Sequence, residues 1–333
     1  MNKYFKQIIL LIGFLIAGNA FCLSQDTLNN DSATLTKKIL WIGKYPQYKN
    51  DADIKISKKI INFITGKKTI VLKKPISVVV DNSDIMWITD QGMQRIIKVK
   101  NNFGEVLKVF KKDTNNFSSL VGLCLSFDNN ILFTDSYLNS VFLFNENKNQ
   151  IIKFNKNSEL IQPTGIAYSN ITKEIWVVET AAHRISVFNK QGKLIKRIGK
   201  RGKNPGEFNF PTFIWIDKLG TIYVVDSLNF RIQIFDKTGK LISVFGKLGD
   251  GTGDFARPKG IAVDSYGNIY VADALFNAVQ IFDKSGNFLY SFGSQGRENG
   301  KFWMPTGIFI DKKDYIYVAD SYNSRIQIFK LSK

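Results

Sequence analysis

One segment near the end of this 333-residue chain is repeated along most of its length, and that repeat constrains the fold more than any other feature. Residues 305–329 read PTGIFIDKKDYIYVADSYNSRIQIF. Similar segments begin upstream at Pro258, Pro211, Pro163, Ser119 and Pro75. The last three copies are spaced 47 residues apart. A fixed period of this length is typical of proteins built from like structural units.

Each copy predicts a small antiparallel sheet. In the fifth copy, GIAVD, IYVAD and AVQIF read as three successive strands, and the turn at 264–268 separates the first two. A late glycine in the next turn, as in 283–287, suits a hairpin with a bulge. A fourth strand follows at 288–293. Six such units predict an all-β fold, a six-bladed β-propeller of four-stranded antiparallel blades.

The last copy lacks its fourth strand because the chain stops at Lys333. Near the other end, residues 38–43 read KILWIG and match LIKRIG at 194–199. We therefore expect an N-terminal strand at about 38–43 to complete the last blade, which would leave no bare strand edge at the closure of the ring.

These segments resemble the NHL repeat family, whose pattern is P-x-G-I-A-V-D, then G-x-I-Y-V-A-D-S, then N-x-R-I-Q-V-F-D. The resemblance covers residues 38–330 and is most specific in the last four copies. It implies the propeller fold. It does not imply one function, since the family includes RNA binders, receptor ectodomains, lyases and scaffolds. The N-terminal segment is similar to that of exported bacterial six-bladed propeller proteins, many of which are lipoproteins.

The first 24 residues predict a signal peptide, with Lys3 and Lys6 before an apolar run at 8–17 that is too short to span a bilayer comfortably. Cys22 offers an alternative, because its context loosely resembles the site where bacterial lipoproteins are acylated. We expect an exported protein, periplasmic or secreted, with membrane attachment only through a lipid on Cys22. Residues 25–36 predict a polar tether and 37–333 the propeller.

Residues 44–74 form the one sizeable insertion in the repeat pattern. Ile56, Ile60, Phe63 and Ile64 have helical spacing, and Gly66 is a stop signal. This pattern predicts a short amphipathic helix packed on the ring. It serves either as a lid over the pore or as a cover for apolar surface.

An acidic residue closes the second strand of every copy, and together these residues predict a ring. Its members are Asp90, Asp135, Glu179, Asp226, Asp273 and Asp320. A structural role is expected, because a carboxylate at a turn accepts backbone N–H groups and pairs with an arginine that often follows, such as Arg95 after Asp90. The alternative is a site for a hard cation such as calcium. We predict no other cofactor.

Because successive strands of a blade run in opposite directions, the loops between second and third strands lie on the same face as the glycine-rich links between blades. Loops on a rigid scaffold are where binding residues concentrate. The candidate ligand-binding residues on this face are His183, Arg184, Arg201, Lys203, Arg231, Arg257, Arg297, Lys301, Trp303 and Arg325. Cations beside aromatic rings suit anionic polymers. The net charge of +18 fits such a ligand, although a bias toward lysine codons would also produce it.

The sequence contains few candidate catalytic residues, since His183 is the only histidine and no G-x-S-x-G motif is present. The leading hypothesis is a non-enzymatic binding or scaffold module, expected to be monomeric, that takes a protein or an anionic ligand such as a glycan. One alternative is a metal-dependent hydrolase or lactonase with carboxylates at the pore. The other is an RNA binder, which the predicted leader disfavours.

Overall fold

The computed structural model describes residues 39–46, 70–100, 103–106 and 117–331, and of 103–106 the backbone alone. The predicted signal peptide, the polar tether, Cys22 and the predicted helix at 56–66 lie outside the described residues. Within the described part, no helix is long and apolar enough to cross a membrane.

The described chain forms six four-stranded antiparallel sheets, which we number as blades 1 to 6. Blade 1 contains β2 (Pro75–Val80), β3 (Met86–Asp90), β4 (Arg95–Lys100) and β5 (Phe103–Val106). Blade 2 contains β6 (Leu120–Leu125), β7 (Ile131–Asp135), β8 (Ser140–Asn145) and β9 (Gln150–Lys153). Blade 3 contains β10 (Pro163–Tyr168), β11 (Ile175–Glu179), β12 (Arg184–Phe188) and β13 (Leu194–Ile198).

The second half of the ring follows the same order. Blade 4 contains β14 (Pro211–Ile216), β15 (Ile222–Asp226), β16 (Arg231–Phe235) and β17 (Leu241–Phe245). Blade 5 contains β18 (Pro258–Val263), β19 (Ile269–Asp273), β20 (Ala278–Phe282) and β21 (Phe288–Phe292). Blade 6 contains β22 (Pro305–Ile310), β23 (Tyr315–Asp320), β24 (Arg325–Leu331) and β1 (Ile39–Tyr45). Among the described residues, the remaining regular elements are three-residue 3-10 turns at Phe127–Asn129, Ser227–Asn229 and Ser321–Asn323.

The N-terminal strand completes the last blade, as the sequence predicts. Strand β1 pairs with β24 from Ile39 opposite Leu331 to Tyr45 opposite Ile326, with one bulge between Trp41 and Gly43. The strand continues two residues past the predicted end. Trp41 also donates its indole N–H to Gln327 Oε1 at 3.0 Å, so the first and last strands are joined by side chains as well as backbone.

The hydrophobic core lies between blades rather than in one central mass. Each of six apolar clusters is shared by two adjacent blades. Phe208, Phe255 and Phe302, one from each glycine-rich link, are fully buried in the clusters between blades 3 and 4, 4 and 5, and 5 and 6. Since each cluster needs both of its blades, the ring is stable only as a whole.

Hydroxyl groups beside the acidic positions tie five of the six blades to the next, and we call these contacts the hydroxyl clamps. A side-chain oxygen donates to a backbone carbonyl of the following blade in the pairs Thr89 to Val121, Thr134 to Thr164, Thr180 to Pro211, Ser227 to Pro258 and Ser321 to Pro75. Blade 5 has Ala272 and Ala274 at these positions and so has no hydroxyl to donate.

Close approach of the innermost strands explains the glycine in the repeat motif. A Cβ at Gly122 would lie 2.1 Å from the Thr164 carbonyl oxygen, and one at Gly260 would lie 2.2 Å from that of Thr306. No side chain fits at such distances. The innermost strands therefore pack backbone against backbone around the central channel.

Candidate ligand-binding face

Loops between second and third strands meet the links between blades on one face, which we call the loop-rich face. Backbone hydrogen bonds join the two kinds of loop: Leu228 N donates to Asn209 O, Ala274 N to Arg257 O and Tyr322 N to Trp303 O, at 3.0 to 3.1 Å. The opposite face carries tight hairpins, such as the one where Asp264 accepts from the N–H groups of Tyr266 and Asn268.

All six acidic residues of the predicted ring are fully buried. Each accepts a backbone N–H from the segment that leads into its own blade. The pairs are Asp90 with Lys73, Asp135 with Ser118, Glu179 with Ile161, Asp226 with Asn209, Asp273 with Ala256 and Asp320 with Trp303, at 2.6 to 2.8 Å. The carboxylates therefore fasten each link to the end of a second strand, which accounts for their burial.

Three of the predicted ligand-binding arginines use their donors within the fold. Arg325 bonds Asp320 at 2.7 Å and also donates to the carbonyl oxygens of Arg297, Glu298 and Lys301. Arg231 makes the same set of contacts one blade earlier, with Asp226 and the carbonyl oxygens of 203, 204 and 207. Arg184 holds Glu179 through two bonds of 2.8 and 3.0 Å.

We therefore leave Arg231 and Arg325 out of the candidate site, because four bonds within the fold leave each guanidinium few donors for a ligand. Arg184 is committed to the buried Glu179 carboxylate through two of its donors, so we also give it a structural role. The arginine pairing expected for Asp90 is also different in the structure. Arg95 is exposed, and among the described residues no ion pair joins it to Asp90. Asp90 instead accepts from the backbone N–H groups of Lys73, Lys74 and Met93.

His183 is buried and serves as a backbone acceptor. Its Nδ1 accepts the N–H of Phe210 at 3.1 Å, and its ring contacts the Phe210 ring edge to face at 4.6 Å. Asn139 and Asn277 occupy the same repeat position and accept from Gln162 N and Met304 N in the same way. All three have positive φ, where asparagine and histidine are common. His183 thus replaces a structural asparagine and is not accessible to a ligand.

The other predicted cations remain exposed on the loop-rich face. They are Arg201, Lys203, Arg257, Arg297 and Lys301. The Arg297 guanidinium lies over the Trp303 ring at 5.4 Å, and the Lys301 ammonium lies 3.4 Å from the Glu298 carboxylate. Trp303 is 36% exposed, and its ring lies 5.6 Å from that of Tyr322.

An exposed set of apolar side chains on this face was not predicted from the sequence, and we call it the apolar crown. Its members are the second residue after the acidic position in four blades: Tyr137, Leu228, Leu275 and Tyr322, between 47% and 75% exposed. The recurrence of Tyr and Leu there is a signal that sequence reading could have used. Large exposed apolar side chains that recur on one face of a fold are candidates for an interaction site.

The central channel is narrow and apolar. A cavity of about 130 Å³ is lined by residues of all six innermost strands, including the rings of Phe213, Trp215 and Phe309. Cys124 also lines it, and burial raises the pKa of that thiol far above its ordinary value. Within the described residues, no group of three or more His, Cys, Asp or Glu side chains is placed to hold a metal ion.

The sequence matches a family model described as a 6-bladed beta-propeller over residues 155–221, 219–275 and 265–333. Together these segments make up more than half of the chain. No curated protein matches the sequence.

Solved structures share the fold at low sequence identity. An auxiliary nutrient binding protein from Bacteroides thetaiotaomicron superposes with a TM-score of 0.64 at 14% identity, covering 92% of this chain and 79% of that one. A gluconolactonase from Xanthomonas campestris gives 0.60 at 13% identity, covering 79% and 87%. A virginiamycin B lyase from Staphylococcus aureus gives 0.57 at 17% identity, covering 79% and 98%.

Proposed function

This chain belongs to the 6-bladed beta-propeller family, and we propose that it is an exported, non-enzymatic binding module of the NHL type whose loop-rich face holds an acidic glycan. The observation that carries the proposal is the apolar crown beside exposed cations. The apolar C–H faces of sugar rings pack on aromatic side chains, and carboxylates on the sugars pair with lysine and arginine. A nutrient binding protein among the structural neighbours is consistent with ligand binding on this fold.

The stretch around Trp303 is the best-defined part of this proposed surface. Trp303 and Tyr322 present two neighbouring rings, Arg297 covers one of them, and the Lys74 ammonium lies 5.9 Å from the centre of the other. Each ring thus has a cation within reach. An acidic sugar packed on these rings would therefore lie beside positive charge.

Calorimetric titration with oligogalacturonides tests the proposal. The double variant Trp303→Ala, Tyr322→Ala is expected to bind about tenfold or more weakly, because two aromatic contacts are lost. The matched control is Leu219→Ala on the opposite face, a side chain that is also exposed, at 72%. It is expected to bind as the parent protein does.

Two outcomes would overturn the glycan proposal. If the parent protein binds no acidic oligosaccharide, a protein partner becomes the better occupant of the crown. If it binds RNA in a salt-dependent manner and ignores acidic glycans, the RNA-binding alternative gains support.

A metal-dependent hydrolase or lactonase is the alternative from the enzyme class, and the likeness to a gluconolactonase motivates its test. A hard cation needs several oxygen ligands directed at one point. Calcium at millimolar concentration is expected to leave the melting temperature of this chain unchanged. A rise of several degrees would favour the hydrolase, because a bound cation stabilises the folded state.

A further inference from the structure

We propose that Lys259, Arg257 and Lys74 form the anion-binding site of the loop-rich face and hold one carboxylate of an acidic sugar. This inference rests on the proposed glycan-binding function and names the charged part of its site. Lys259 and Lys74 were not among the residues predicted from the sequence to bind a ligand.

Lys259 is exceptional among the six equivalent positions. It is the second residue of β18, and the other innermost strands have Ile76, Val121, Thr164, Thr212 and Thr306 there. Two of these threonines bond the backbone of the next blade, Thr164 to Thr212 O at 2.8 Å and Thr306 to Ile76 O at 3.0 Å. Because short uncharged side chains fill this position elsewhere, the packing of the ring does not require a charge.

The charges around Lys259 are of its own sign. The described charged groups that act on it are Arg257, two residues earlier, and Lys74, which directly precedes the innermost strand of blade 1. Arg257 and Lys259 are two residues apart at the start of blade 5, and Lys74 enters from blade 1 across the intervening blade 6. Burial first, and then the two cations, lowers the pKa of Lys259 to about 8.

No carboxylate neutralises this cluster within the described residues. None of the three cations forms an ion pair there. Two buried carboxylates beside the cluster bond its backbone rather than its ammonium and guanidinium groups: Asp273 accepts the backbone N–H of Arg257, and Asp90 accepts that of Lys74. Asp254, three residues before Arg257, pairs with Lys247 instead. A partly buried ammonium beside two like charges is costly to keep, and such groups mark functional sites.

The cluster adjoins the crown. Lys74 lies over the Tyr322 ring, and Tyr322 contacts Trp303. A sugar stacked on these two rings would therefore present its carboxylate to the cluster. This arrangement explains how one face can select an acidic sugar over a neutral one, since desolvated cations favour a ligand that brings a compensating charge.

The test compares the binding of oligogalacturonides at pH 6.5 and pH 9 by the parent protein and three variants. The parent protein is expected to bind more weakly at pH 9, because Lys259 loses its proton between the two. Lys259→Met is expected to bind ten- to hundredfold more weakly at pH 6.5. It should also have a flatter pH dependence. Lys259→Arg keeps a charge that does not titrate, so it is expected to retain most of the affinity at both pH values.

Lys247→Met is the matched control, since Lys247 lies in the link that leads to the same blade, is well exposed and pairs with Asp254 at 3.7 Å. It should bind as the parent does at both pH values. If Lys259→Met also binds as the parent does, the anion site is wrong while glycan binding stands. Weak binding by Lys259→Arg at pH 6.5 would also overturn the site.

A second probe separates failure of the site from failure of the glycan proposal. Sodium sulfate is titrated while the Cε resonance of Lys259 is followed by NMR. If no oligogalacturonide binds but sulfate shifts this resonance, the anion site stands and only the glycan is wrong. If sulfate at tens of millimolar leaves the resonance unmoved and the oligosaccharide does not bind, the anion site is overturned as well.

Discussion

Residues at equivalent positions of the repeat can have different roles in different blades, as His183 and Lys259 show. His183 stands where blades 2 and 5 have asparagine, and it accepts the same backbone N–H that those asparagines accept. Lys259 stands where three blades have threonine. An ammonium at the end of four carbons cannot make the short hydrogen bond that a threonine hydroxyl makes to the backbone of the next blade. One substitution preserves the local contact and the other replaces it with a charge. Only the second creates a candidate for function.

Lys259 is expected to reduce the stability of the protein at neutral pH. Its pKa is about 8 in the folded state, against an ordinary value of 10.5. Below pH 8 the folded state bears the full cost of the charge, and that cost is relieved as the pH rises from 8 to 10.5 because the folded state releases the proton first. We expect Lys259→Met to raise the free energy of unfolding by about 1 to 3 kcal/mol at pH 7.

Denaturant unfolding at a series of pH values checks this expectation. The difference between Lys259→Met and the parent should be largest below pH 8 and should shrink toward zero by pH 10.5. Lys247→Met controls for the loss of a lysine in general, and we expect its difference from the parent to stay near zero throughout. A constant difference for Lys259→Met at every pH would mean that packing, not charge, sets its stability.

Among the elements, the hydroxyl clamps show how neighbouring blades are joined. Five blades donate a side-chain hydroxyl beside the acidic position to the backbone of the next one. The junction from blade 5 to blade 6 lacks this clamp and is held by a shared apolar cluster and, on the opposite face, by the Ser265 hydroxyl bonding Asp314 at 2.7 Å. Thr134 and Thr180 are buried, and both bonds measure 2.6 Å. Removing either hydroxyl leaves a buried carbonyl group with one partner fewer.

We expect Thr134→Val to lower the free energy of unfolding by about 1 to 2 kcal/mol, since valine keeps the shape and loses the bond. Thr134 also accepts the N–H of Gly122 at 2.8 Å, so the variant affects two strands at once. Thr238→Val in an exposed hairpin is the matched control, with an expected change within about 0.5 kcal/mol. Equal effects of the two variants in urea unfolding would argue against the clamp.

The elements were largely predictable from the sequence, while the surface they build was not. The motif ending in IYVAD fixes the second strand and its terminal acid, and the glycine at 267 or 286 has the positive φ expected for the hairpin. These features could be predicted because the pattern that encodes them lies within neighbouring residues of one repeat. The recurrence of Tyr and Leu at the position of Tyr322 and Leu275 is visible in the sequence, but their exposure depends on how loops of different blades come together, as does the electrostatic effect of Lys74 on Lys259. No local pattern encodes such distances.

At the scale of the whole molecule, closure joins residues that are almost 300 positions apart. Strand β1 supplies the outer edge of blade 6, and without it β24 would expose a row of unpaired backbone groups. Tyr45 is buried in the cluster between blades 1 and 6, so the strand also contributes to the core. This pairing could be predicted from the match between KILWIG and the fourth strands of other blades, because only the last copy of the repeat lacks a fourth strand.

A chain that starts at residue 47 is therefore expected to be much less stable than one that starts at residue 38. The first lacks all of β1, while the second keeps the strand and loses only what precedes it. Loss of a seven-residue strand and its buried Tyr45 is expected to remove about 5 kcal/mol or more, which lowers the melting temperature by about 10 °C. The exposed edge of β24 should also promote self-association, visible by light scattering. If both chains melt together and remain equally dispersed, closure by β1 does not stabilise the ring, and the blades hold together through their interfaces alone.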